Sequence, residues 1–184
     1  MLRSSGYEAL GVDPGAPDEE DYRRVVFEQV ELAREVDAVV ASTSLHHVAD
    51  PAEVIDRIAS TLAARGKLVV VEWDWEGFDR PTAEWCFQRL EPDEGAGWLH
   101  RRREEWLASG QPWSAYLREW AKEEQLHSVH TLLRLLDARF HREHLAYGPY
   151  FFPDLAGMTE EDEQAAIEAG RIRATRVDYV GRLR

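Results

Sequence analysis

The sequence has one cysteine, Cys86, in 184 residues, so it holds no internal disulfide framework and fits a reducing, cytoplasmic setting. No apolar run approaches the roughly 20 residues of a membrane-crossing helix. The opening MLRSSGYEAL has no apolar core of a signal peptide. Basic residues are few: 22 Lys and Arg stand against 35 Asp and Glu, a net charge of −13. That excludes the broad basic face of a general nucleic-acid binder. The one basic run, His100–Arg103, reads as the solvated start of a helix. Repeats and low-complexity tracts are missing. Glycine pairs are scarce too: Gly95-Ala96-Gly97 is the only Gly-x-Gly, and it lies between helical stretches, as a linker.

What is present has α/β grammar. Gly6–Asp13 ends an apolar run in an acid and a proline, and Pro14–Pro17 is a turn. Asp18–Arg23 reads as a possible helical turn and Arg24–Glu28 as a second strand. Asp37–Ser42 is apolar on both faces through Ala38–Ala41 and reads as a third strand, a buried parallel one. Asp50-Pro51-Ala52-Glu53 is a helix start, with an N-cap, proline at the first position and an acid at N3. The helix is expected to run to about Ala64, stopped by Gly66, before a buried strand over Lys67–Glu72. From Asp79 to Ala138 only helices are expected. Two late strands near 140–147 and 172–180 flank an acidic helix over Thr159–Ala169.

From Asp37 onward the pattern becomes specific. Asp37-Ala38-Val39-Val40-Ala41-Ser42-Thr43-Ser44-Leu45-His46-His47-Val48, followed by Asp50-Pro51 and then Gly66-Lys67-Leu68-Val69-Val70-Val71, resembles the fourth strand, loop, helix and fifth strand of class I S-adenosylmethionine-dependent methyltransferases. By the same resemblance Gly6–Asp13 is the second strand, Arg24–Glu28 the third, and the late strands the antiparallel closing pair. The resemblance implies a Rossmann-like sheet, mainly parallel, with a helical insertion. It divides one domain into a partial cofactor-binding half (1–78), a helical cap (79–138) and closing elements (139–184). It also implies methyl transfer from S-adenosylmethionine to a small-molecule acceptor. The family's first strand and glycine-rich loop, which lets backbone approach the methionine part of the cofactor, have no counterpart in these residues.

The resemblance assigns Asp13 to the ribose hydroxyls, Glu28 to the adenine region, and Ser42 and Thr43 to the cofactor side of the loop. Each has a plainer reading: Asp13 as a turn residue before proline, Glu28 as a solvated acid, and the hydroxyls as turn caps. His46 and His47 are the candidates for removing a proton from the acceptor; packing and capping is the other reading, and the one favoured. Trp73, Trp75 and Tyr150 are candidates for the acceptor pocket, against a role in the core. His127/His130 and His141/His144 have metal-compatible spacing without a third ligand, so no metal is expected.

Three readings stay open. The chain is a shortened version of an enzyme, a binding or scaffold protein that kept the fold, or a chain completed by a partner. In each, binding of S-adenosylmethionine by these residues alone is expected to be weak. An exposed sheet edge is expected to favour a homodimer or other association. Neither nucleic acid nor membrane is expected as a partner.

Overall fold

A computed structural model describes residues 5–91 and 97–184; Gly95 and Ala96 of the expected linker lie outside them. Two short strands, β1 (Gly11–Val12) and β2 (Tyr22–Arg23), form a parallel pair. The strand expected over Arg24–Glu28 is not there. Pairing moves upstream to Tyr22–Arg23, displacing the expected helical turn, and Phe27–Gln29 forms a 3-10 turn. Side-chain anchoring explains the shift. Arg24 Nε donates to Ala16 O at 2.6 Å, and Arg57 Nη2 donates to Val30 O at 2.6 Å. Phe27 is thereby drawn against the core instead of continuing the pair.

The main sheet contains β3 (Val36–Ser42), β4 (Leu62–Trp73), β5 (Phe140–Gly148) and β6 (Arg176–Leu183), in the order β3-β4-β6-β5. β3 and β4 are parallel, and β6 is antiparallel to both of its neighbours, the expected closing pair. The crossover from β3 to β4 is α1 (Pro51–Thr61). Asp50 caps it by accepting from the N–H groups of Ala52 and Glu53, and Pro51 has no N–H to waste in the first turn. α1 ends three residues earlier than expected. Leu62 is already extended (φ −78°, ψ 137°) and pairs with Val36, so Gly66 lies inside β4 rather than capping the helix. The register between β3 and β4 then jumps from Val36↔Leu62 to Ala38↔Lys67, which absorbs the extra residues as an irregularity.

α1 and α5 (Val129–Arg139) cover one face of this sheet. Val54, Ile55 and Ile58 of the first and Leu132 and Leu136 of the second bury against Ala41, Leu68, Val70 and Tyr179. At roughly 1.5–3 kcal/mol for each fully buried aliphatic side chain, this is the main stabilising contact of the sheet. The opposite face is different. Val40, Val69 and Val180 form a cross-strand row there, with Val40 54% exposed and the other two half-buried. β3 is therefore not buried on both faces as its composition suggests. Among the described residues it is an edge strand whose α1-facing side alone is covered.

The second core is aromatic. α2 (Arg80–Phe87), α3 (Trp98–Ser109), α4 (Trp113–Glu123) and α6 (Glu160–Glu168) gather Trp73, Phe78, Trp85, Phe87, Trp113 and Phe151 beyond the end of β4. Cys86 is fully buried among them, and burial pushes its thiol pKa up. No helix among the described residues is long and apolar enough to cross a membrane.

Candidate functional site

Parallel strands β3 and β4 end side by side, and the turn that follows β3 closes over the end of β4. Thr43 N–H donates to Val71 O at 2.7 Å, and Thr43 takes a left-handed backbone conformation (φ 47°). That conformation is costly for a β-branched residue, and such strain persists where the surroundings fix the chain. The fixing group is Glu72. Its carboxylate is 2% exposed and sits among donors. Oε1 accepts from Ser44 N–H at 2.9 Å and Leu45 N–H at 2.6 Å, and Oε2 accepts from Trp73 N–H at 3.3 Å. Oε2 also contacts Nδ1 of His46, itself 3% exposed. A carboxylate can only accept, so the His46 proton belongs on Nδ1 and the lone pair on Nε2. A buried charge held by several N–H groups and an imidazole is the condition under which such burial is tolerable.

The turn is held from the other side by His127, ahead of α5. Its N–H donates to His46 O at 3.0 Å, and its Nε2 lies 2.8 Å from Val48 O. Trp75 Nε1 donates to His127 O at 3.2 Å, tying the residues after β4 to the same network. His47 lies next to His46, ring centroids 4.1 Å apart, and is more exposed. Partial burial, and then the neighbouring His46, hold its pKa below the ordinary histidine value. Asp74 follows Trp73, and burial raises its carboxyl pKa against the opposing effect of N–H groups from Gly77 and Glu76.

A second buried carboxylate mirrors the first. Glu163 of α6 is fully buried and accepts from Tyr150 N–H at 2.9 Å and Phe152 N–H at 2.7 Å. It fixes the segment after β5, and Tyr150 stacks on Trp73 with ring centroids 5.9 Å apart and planes 15° from parallel. Burial pushes the Tyr150 phenol up to about 12. Trp73 also meets His46 edge-on at 6.3 Å and Trp98, Trp120, Phe78 and Phe151 within 6.4 Å. It is 4% exposed, and its indole N–H is buried without a partner.

The structure thus brings together His46, His47, Thr43, Trp73, Trp75 and Tyr150 at one end of the sheet, with Ser42 exposed at the end of β3. Asp13 and Glu28 make their contacts elsewhere. Asp13 is exposed after β1, and its Oδ1 accepts from Gly15 N–H at 2.6 Å. Glu28 lines a groove of about 320 Å³ with Glu53, Asp56, Arg57 and Ser60. The anchoring roles of Glu72, His127 and Glu163 are not apparent from spacing. Only Glu72 carries a signal, an acid directly after the apolar run Leu68–Val71. Among the described residues no group of three or more His, Cys, Asp or Glu side chains converges as a metal site would.

A family model described as a methyltransferase domain matches residues 1–139. Among solved structures, the chain is similar to an S-adenosylmethionine dependent methyltransferase from Mesorhizobium loti. Identity is 19%, over 98% of this chain and 83% of that one, with a TM-score of 0.53. It is similar to the PH0226 protein from Pyrococcus horikoshii OT3 at 12% identity, over 100% of this chain and 74% of that one, with a TM-score of 0.54. It is also similar to the N-methyltransferase NodS from Bradyrhizobium japonicum WM9, solved with S-adenosyl-L-homocysteine, at 13% identity and a TM-score of 0.44. That match takes in 89% of this chain and spans 54% of the length of NodS. At these identities the first two likenesses speak to fold alone. No curated protein matches the chain.

Proposed function

Because this chain belongs to the methyltransferase domain family, we propose that it serves S-adenosylmethionine-dependent methyl transfer to a small-molecule acceptor, with the turn after β3 at the reacting end. The observation that carries this reading is the Glu72–His46 pair where β3 and β4 end. Ligands of open α/β sheets bind beyond the carboxyl ends of the strands. S-adenosylmethionine, when bound, supplies the electrophilic methyl group. Toward its sugar side Ser42 and Thr43 offer exposed hydroxyls after β3, while Asp13, the ribose candidate, is exposed after β1 in the separate two-stranded pair and accepts from Gly15 N–H. Its methionine side calls for backbone free of side chains at a strand end, and the single Gly-x-Gly here directly precedes α3. Binding by this chain alone is therefore weak.

In this reading His46 Nε2 takes the acceptor's proton as the methyl group arrives, and Glu72 stabilises the resulting imidazolium through Nδ1–H. Tyr150 and Trp75 face the acceptor side, and holding the acceptor in line supplies much of the remaining barrier reduction. A non-catalytic binding or scaffold role is the second reading. The deep burial of His46 and Trp73, 3% and 4% exposed, favours it, because both side chains already serve packing.

Titration calorimetry separates the parts. The expected dissociation constant for S-adenosylmethionine is weaker than about 10 µM, roughly −7 kcal/mol; tighter binding refutes the weak-binding claim. Methyl transfer to amine and hydroxyl acceptors, followed with labelled donor, tests the catalytic claim. Activity that survives intact in His46→Gln removes His46 as the base, and its absence from every preparation favours the binding role.

A further inference from the structure

A hollow of about 220 Å³ lies beside the first turns of α5, walled also by the turn after β4, the end of β5 and the segment before β6. The Trp75–His127 hydrogen bond ties two of these walls together. The walls differ in chemistry. α5 supplies Val129 and Leu133, and β5 supplies Tyr147, which is 50% exposed. The turn supplies two carboxylates, Asp74 and Glu76. Asp74 is half-buried against Gly77, where a Cβ would stand 3.0 Å from its Oδ2, so a glycine there leaves the carboxylate its room. Burial raises the Asp74 carboxyl pKa, because the charge lacks water around it. Among the described residues neither acid has a basic partner within ion-pair distance. The guanidinium that lines the hollow, Arg173, is engaged elsewhere: its Nε lies 2.9 Å from Asp79 Oδ2. It is also the weakest of the influences on Asp74. The remaining titratable group in the lining is His130, which is exposed. The hollow therefore has two acids and no free guanidinium to answer them.

We propose that this hollow is a binding site for a small organic cation, an ammonium group carried on a short aromatic or apolar body. The ammonium donates to the carboxylates of Asp74 and Glu76, and the body lies on Tyr147, Val129 and Leu133. A tyrosine face stacks a ring and attracts a cation. The surroundings select this class over others. An anion meets two carboxylates and finds the guanidinium taken, and at the start of α5 the Thr131 N–H already donates to Ser128 Oγ. A divalent metal calls for several converging ligands, and among the described residues no group of three or more His, Cys, Asp or Glu side chains converges. A large ligand is too big, since drug-sized molecules take pockets of about 300–1,000 Å³. A cation also offsets the burial that disfavours charge on Asp74, so the half-buried acid contributes most to the contact. The site stands apart from the methyl-transfer reading, because no residue assigned to donor or acceptor lines it.

The test titrates the whole chain with phenethylamine, and with phenethyl alcohol and hydrocinnamate as its neutral and anionic counterparts. Amide ¹H–¹⁵N shifts report both affinity and place. The amine is expected to bind at about 1 mM or tighter, as a fragment-sized ligand does, with the largest shifts at residues 74–77 and 129–133. The alcohol is expected to bind about tenfold more weakly, having lost the charged hydrogen bonds, and hydrocinnamate not at all. Added NaCl weakens the amine. Asp74→Asn is expected to lower amine affinity about tenfold. Glu76→Gln, at an exposed position, is expected to lower it by a smaller factor, and it decides alone if Asp74→Asn does not fold. No binding up to about 10 mM amine overturns the proposal. So does equal binding of the alcohol, or shifts largest at residues 43–47, or an affinity that neither substitution changes. No methyl donor is present in the titration, so a failed methyl-transfer reading leaves its result standing.

Discussion

Replacing Glu72 by glutamine changes one buried atom and tests what holds the turn after β3. The carboxylate accepts from Ser44, Leu45 and Trp73 N–H groups and contacts His46 Nδ1. Glutamine keeps one acceptor oxygen. If that oxygen serves Ser44 and Leu45, the new NH₂ points at Trp73 N–H, and if the amide is flipped it points at the other two. Either way a buried backbone donor is stranded, at about 1–3 kcal/mol. The remaining bonds lose charge assistance, a further 1–2 kcal/mol or so. Allowing for relaxation, the expected loss is about 3 kcal/mol. In a chain of this size that lowers Tm by roughly 6–12 °C. Urea unfolding at neutral pH measures it, with an unchanged m-value expected because the surface exposed on unfolding is the same. Imidazole ¹⁵N shifts give a second readout. In the wild type the His46 proton belongs on Nδ1; in the variant whose oxygen serves Ser44 and Leu45, the orientation that strands one donor rather than two, it moves to Nε2 so that Nδ1 accepts from the new amide. A loss below about 0.5 kcal/mol, with the tautomer unmoved, would refute the claim that Glu72 anchors the turn.

Two further outcomes follow from the same end of the sheet. His47 has a lowered pKa in the folded chain, so the unfolded chain binds the extra proton first. Stability is therefore full above the unfolded value of about 6.5 and falls as pH drops through the lower folded value. The effect is small because His47 is partly exposed; His47→Gln should flatten the slope of ΔG against pH between about 7.5 and 5, and parallel curves would contradict it. Trp73→Ala should cost about 3–5 kcal/mol by denaturant unfolding, as a large core cavity does. Trp73→Phe should cost clearly less, since it keeps a ring in the cavity and removes an unpaired buried N–H; equal losses would contradict a penalty from that N–H.

Much of the sheet was legible because its signals are local. Asp50-Pro51 starts α1, the apolar runs mark β3 and β4, and Thr159 with Asp162 caps α6 in the expected place. The strand expected at Arg24–Glu28 failed because anchoring of Arg24 on Ala16, and of Val30 by Arg57, 27 positions away, outweighed β propensity. Gly66 failed as a helix stop because pairing of Leu62 with Val36 drew the chain into β4 first. Tryptophans that read equally as pocket or core became core at Trp73, since packing among six rings is a tertiary property.

By itself the sequence determined the α/β class, the crossover from β3 to β4 and the presence of two histidines where those strands end, since patterning, capping and turn chemistry act over a few residues. Tertiary structure decided that Glu72 holds His46 and that Glu163 holds Tyr150. Each depends on which groups the fold brings within about 3 Å of one another. Residues 26 positions apart for the first pair and 13 for the second carry no spacing rule that a reader of the chain could apply.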